Sequence, residues 1–118
     1  MNIKIKRVYD KPEAGDGVRI LVERLWPRGV SKKDARVDFW LKDASPSTGL
    51  RKWFSHDKSK WEEFRRRYNH ELDQNRDAVE QLLEITAGSD AAFVYASREE
   101  QYNSAMALKD YIEKLAKT

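Results

Sequence analysis

The sequence contains no cysteine. That excludes a disulfide, a thiolate nucleophile and a cysteine metal site together. Histidine is almost as scarce: His56 and His70 are the only two, too few for a dense histidine centre, so no metal is expected. The chain has five glycines and three prolines. None of them forms a phosphate-cradling glycine loop, and no catalytic triad motif is visible, so no cofactor is expected. No apolar run approaches the roughly 20 residues of a membrane helix. The amino end, Met1-Asn2-Ile3-Lys4-Ile5-Lys6-Arg7, alternates apolar and basic residues, unlike the continuous apolar stretch of a signal peptide. The expectation is a cytoplasmic protein with no membrane partner. No internal repeat, linker or low-complexity segment is present.

What is there is a chain of 118 residues, suited to a single domain, 1–118, able to bury a core without staples. Its net charge of +3 is unevenly spread: residues 1–68 carry a balance of +8 and residues 69–118 a balance of −5. A basic half points to an anionic partner, a phosphorylated small molecule or nucleic acid, or else to two halves that complement each other.

Ile3 and Ile5, followed by Val8 and Tyr9, predict a first strand, whose lysines suit an edge. Residues 10–17 (DKPEAGDG) read as a loop. Val18-Arg19-Ile20-Leu21-Val22 predicts a second, buried strand, and the uncharged Ala91-Ala92-Phe93-Val94-Tyr95-Ala96 a third, interior one. Ser31 and Ser47 stand where helix caps are expected. Val37, Phe39, Trp40 and Leu41 are expected as a short helix on the sheet. Trp61, Phe64, Tyr68 and Leu72 make one helical stripe. A break follows near Asp73-Gln74-Asn75, then a helix with Val79, Leu82 and Leu83. A final helix covers 102–116, with Ala105, Leu108, Ile112 and Leu115 inward. The fold class expected is α/β: a small domain with a short sheet of about three strands, mainly parallel, packed by helices. The first two strands are either antiparallel neighbours or parallel and separated by the third, because the connection between them is short for a helical crossover.

The parallel arrangement gathers the strand ends on one rim, where open α/β sheets bind ligands. Arg24, Arg28 and Arg98 are then candidates to fork onto a phosphate or carboxylate. Trp26 is a candidate for stacking on a ring or for the core. Asp10, Glu23 and His56 are the acid–base candidates, and they dictate no reaction class. Arg65-Arg66-Arg67 spans about 200° of a helix, so it does not form one nucleic-acid patch.

These residues also carry a resemblance. Arg7-Val8-Tyr9-Asp10, the run Arg19-Ile20-Leu21-Val22-Glu23-Arg24-Leu25-Trp26-Pro27-Arg28-Gly29-Val30-Ser31-Lys32, Trp40-Leu41-Lys42-Asp43 through Ser45-Pro46-Ser47, and Leu50-Arg51-Lys52-Trp53-Phe54 with His56-Asp57 resemble the YeaO-like branch of the domain-of-unknown-function 488 family. Trp61, Phe64, Arg67-Tyr68, Glu71-Leu72, Phe93-Val94-Tyr95-Ala96 and Asn103 continue the pattern. The resemblance implies a compact α/β domain and brings no activity with it. It relates Arg24, Trp26, Arg28, His56 and Asn103 as one set, which adds Asn103 to the ligand-binding candidates. Some members of the wider family place a Cys-His-Arg triplet where Tyr102-Asn103-Ser104 stands here, so the thiol chemistry is missing from this chain. The family usually has aspartate where Glu23 stands, which keeps the carboxylate with a longer reach.

Three functions remain open from the residues: an anion-binding domain using the strand rim, a nucleic-acid-binding module using the basic half, or a non-enzymatic interaction domain whose arginine- and tryptophan-bearing run locks the fold. The first expects a phosphate- or nucleotide-like ligand.

Overall fold

The computed structural model describes residues 2–117. Among them the order is β1 (Ile3–Arg7), β2 (Val18–Leu21), α1 (Lys32–Ala35), β3 (Phe39–Trp40), α2 (Thr48–Phe54), α3 (Trp61–Asp73), α4 (Arg76–Gly88), β4 (Ala91–Tyr95) and α5 (Ser104–Ala116). The sheet is fully parallel, with strand order β1-β4-β2-β3. The uncharged β4 is interior and buried at every position, and it separates β1 from β2. The ten residues 8–17 make that crossover without an α-helix. Extended, they reach about 33 Å, enough to return along one strand and pass its neighbour.

The sheet has four strands where about three were expected. Phe39 and Trp40 pair with Ile20 and Leu21 and do not form a helix. The spacing of Val37, Phe39 and Leu41 is two residues, the period of a strand. Asp38 fixes the edge, donating its N–H to Arg19 O at 2.8 Å and accepting the Arg19 N–H on its carboxylate at 2.9 Å.

Strand alternation divides the core between the two faces of the sheet. Ile3, Ile20, Val22, Phe93 and Tyr95 face α2–α5 and meet Leu50, Phe54, Phe64, Tyr68, Leu72, Leu82, Leu108 and Ile112. Val8, Leu21, Ala92 and Val94 face the other way, under Ala35 with Trp26, Val30 and Val37. The α3 stripe buries Trp61, Phe64, Tyr68 and Leu72 as its spacing predicts. Glu71 on that helix accepts the Ser47 N–H at 2.8 Å and the Ser47 hydroxyl, while Ser47 caps α2 by accepting the Leu50 N–H. Leu115, expected inward on α5, lies at the surface.

The crossover is anchored by a buried charge cluster. Asp16 is fully buried and accepts from Arg19 Nη1 at 2.6 Å, Lys4 Nζ at 2.9 Å and Lys6 Nζ at 3.1 Å. Burial pushes its carboxyl up, but those cations and the Glu13 N–H outweigh burial and hold it far below the usual carboxylate range. The rest of the Arg19 guanidinium donates to Ala35 O.

Among the described residues no helix is long and apolar enough to cross a membrane. Nor is any group of three or more His, Asp or Glu placed to hold a metal ion.

Candidate functional site

Because all strands run the same way, residues just beyond β2 and β4 emerge on one rim. Glu23 follows β2, and Tyr95 and Ser97 end and follow β4. The N-terminus of α5 and the end of α2 close over them. The result is a cavity of about 130 Å³ lined by Glu23, Pro46, Arg51, Phe54, His56, Phe64, Tyr95, Ser97, Tyr102, Asn103 and Ser104. Its size is close to the ~150 Å³ cavity that accepts a benzene ring.

Two loops build the mouth. The loop after β4 is tied down by Arg7, whose Nε donates to Ser97 O at 2.9 Å. Inside this loop, Glu99 accepts the N–H groups of Gln101 and Tyr102, which lower its pKa below the ordinary glutamate value. Asn103, buried, commits both ends of its amide to structure: Nδ2 donates to Glu99 O, and Oδ1 accepts the Met106 N–H at 2.8 Å as the cap of α5. The N–H groups of Ser104 and Ala105 then carry no hydrogen bond to the described residues, which leaves two donors at the positive end of that helix. The second loop follows α2. Ser55 and His56 both take left-handed backbone conformations, at φ 45° and 58°. Neither is glycine, so each holds about 1–2 kcal/mol of strain. Lys58 bridges the loops, pairing with Glu99 at 3.5 Å and standing over the Tyr102 ring.

The walls differ in character. Phe54 and Phe64 stack at 4.4 Å between ring centroids, and Trp61 packs on both. Tyr95 ends β4 with its phenol unbonded to the described residues, and burial raises the pKa of that phenol. Glu23 has a carboxylate with no hydrogen bond or ion pair to the described residues. Burial pushes its pKa above the ordinary glutamate value, while the nearby Arg51 guanidinium pulls it the other way. Arg51 itself has no ion pair within contact distance among the described residues.

The predicted residues do not all share one place. Glu23, His56 and Asn103 share the cavity. Arg98, exposed, borders an adjoining hollow with His56, Ser97 and Glu99. Arg24 stands behind the cavity wall, donating Nη2 to the carbonyls of Ser45 and Pro46 at 3.3 and 3.4 Å, with its Nε buried and unpartnered. Trp26, Arg28 and Asp10 lie elsewhere. Trp26 packs on the second face of the sheet, donates to Val30 O at 2.6 Å and meets Trp40 edge-on. Arg28 is exposed, and its carbonyl accepts the Tyr9 hydroxyl. Asp10 lines a separate groove with Tyr9, Gly29 and Arg36. Sequence reasoning missed Arg51 and the aromatic walls. Arg51 precedes Phe54 by three, so it shares that residue's helix face, and this was the available signal.

A family model described as the inactive DUF488-N3 subclade matches residues 2–118. The chain belongs to the DUF488 family. It is 41% identical over 115 residues to the uncharacterized protein YeaO of Escherichia coli (strain K12), covering 98% of this chain and all of that one. It is also 40% identical over 96 residues to uncharacterized proteins of Mycobacterium bovis and Mycobacterium tuberculosis, covering 81% of this chain and 80% of each of theirs. No solved structure matches.

Proposed function

We propose that this domain binds a small anionic molecule in the rim cavity and does not turn it over. The observation that carries this reading is the convergence of Arg51, His56 and Ser104, whose N–H is open at the start of α5, on one cavity about the size of a single ring. A guanidinium, an imidazole and a helix N-terminus are three independent ways of favouring negative charge at one place. Arg98 extends the basic wall outward beside His56. Two observations favour binding over turnover. The matching family model is described as an inactive subclade, and the chain has no thiol at Tyr102-Asn103-Ser104 or anywhere else.

The nucleic-acid reading finds less support. Arg66 and Arg67 are engaged with Glu63, and Arg65 faces Glu62 and Asp110, so the most basic stretch of α3 is largely neutralised.

The test is a titration with inorganic phosphate, ribose 5-phosphate and a nucleoside monophosphate, read by amide chemical shifts and thermal shift. Wild type is expected to show saturable changes at Ser97, Asn103 and Ser104. Arg51→Ala should weaken them about tenfold, the effect of losing one charge-assisted hydrogen bond. Arg28→Ala, outside the cavity, should bind as wild type does. Equal responses from wild type and Arg51→Ala to every anion would overturn the reading.

A further inference from the structure

The cavity contains a group that an anion site alone does not need. Glu23 puts a carboxylate among the same residues as Arg51 and His56. A bare phosphate would be repelled by it. Nor is Glu23 there to hold the fold, since its side chain bonds to no described residue. Only its carbonyl has a structural task, accepting the Trp40 indole N–H at 2.7 Å. A carboxylate is an acceptor with about four lone-pair sites, so its natural complement is a ligand N–H. The surrounding walls are Phe54, Phe64, Tyr95 and Tyr102, which suit an aromatic ring, and the volume suits one ring rather than two. Of the cationic groups, Arg98 and His56 border the adjoining hollow, while Arg51 lines the same cavity as Glu23 and stands near enough to act on its charge.

Building on the anion-binding reading, we infer that the ligand is a pyrimidine-type nucleotide or a close analogue. Its six-membered nitrogen heterocycle sits among the aromatic walls, and a ring N–H or amino group donates to Glu23. Its phosphate lies against Arg51, His56 and the α5 N-terminus, on the side that opens to the hollow bordered by Arg98. The carboxylate selects for the ring, and the cations hold the anion. The arrangement resolves the mixed charge of the site, because each end of the ligand meets its own complement. It also accounts for the strained Ser55-His56 turn, which positions the imidazole between the cavity and the outer hollow.

The experiment compares cytidine 5′-monophosphate, cytidine, ribose 5-phosphate and inorganic phosphate against wild type, Glu23→Met and Arg51→Ala, by amide shift titration. Glu23→Met keeps the side-chain length and removes both acceptor oxygens, and urea unfolding checks that it folds. The expected result is that wild type binds the nucleotide at least tenfold more tightly than ribose 5-phosphate. Glu23→Met should remove that advantage and leave the ribose 5-phosphate affinity unchanged or improved. Arg51→Ala should weaken the nucleotide and both phosphates but not cytidine. Equal affinity of wild type for cytidine 5′-monophosphate and ribose 5-phosphate overturns the ring inference and leaves anion binding standing. Binding of cytidine with no response to any phosphate overturns anion binding and leaves the ring site standing. Silence from all four probes overturns both.

Discussion

Replacing Glu23 by glutamine should make the protein more stable. The carboxylate sits at the wall of a cavity, partly removed from water, with no hydrogen-bond partner among the described residues. A desolvated polar group left without a partner costs about 1–3 kcal/mol. Glu23 belongs at the low end of that range, because it is not fully buried and Arg51 attracts it. Glutamine keeps the polar atoms and removes only the charge, so the expected gain for Glu23→Gln is the charge-dependent part, at most about 1 kcal/mol, or up to about 4 °C in melting temperature for a domain of this size. The pH dependence fixes the sign independently. Burial raises the native pKa of Glu23, so the native state takes up a proton before the unfolded chain does as pH falls. The destabilisation is then complete above the raised native pKa. It fades as pH drops toward the unfolded glutamate value of about 4.3. Urea unfolding of wild type and variant at a series of pH values between neutrality and that value measures the difference directly. The gap should be largest at neutral pH and should narrow on acidification. A variant no more stable than wild type at neutral pH, or a gap that widens toward acid, refutes the argument that this carboxylate is held for a ligand against the interest of the fold.

Three further outcomes follow from the geometry. Asp16→Asn leaves the buried Arg19 guanidinium without its charge partner and should lower the unfolding free energy by about 3 kcal/mol. Because the native pKa of Asp16 is lowered, its stabilisation is fully present above an unfolded value of about 3.9 and is lost as pH falls through the native value, which the wild-type-minus-variant difference should trace. Gly17→Ala would put a Cβ 2.1 Å from Asp90 O at a φ of 68°, so a loss of about 3 kcal/mol in urea unfolding is expected from strain and clash together. Ser55→Gly relieves a left-handed residue at φ 45° and should raise stability by up to about 1 kcal/mol. If His56 acts through its fixed position, the same change should weaken nucleotide binding in the titration.

Local patterns were strong enough to read several elements directly. The uncharged run at 91–96 reads as an interior strand, and Ala91–Tyr95 forms one, because a central parallel strand is covered on both faces. The stripe of Trp61, Phe64, Tyr68 and Leu72 and the caps at Ser31 and Ser47 were equally local, since each depends on residues within a turn or two. Asn103 was visible by family resemblance, but its work in the structure is to cap α5 and bind Glu99. The two-residue strand β3 was harder. Its pairing depends on Arg19 and Asp38, 19 residues apart, meeting at the sheet edge, and no local window contains that information.

The sequence by itself determined the α/β class, the family, the absence of thiol chemistry and the presence of an arginine-rich strand end. All of these follow from composition, periodicity or contiguous motifs. Only the tertiary structure decided which arginines share a site. Arg24 and Arg28 are four residues apart, yet one backs the cavity wall and the other is exposed on another part of the surface. Arg51 and Glu23 are 28 apart and face the same space. A parallel sheet brings residues together by strand order, and strand order is set by which faces bury most apolar surface across the whole chain. The cavity exists because β4 inserted between β1 and β2 and brought its loop beside Glu23 and the end of α2, an outcome written in no single segment.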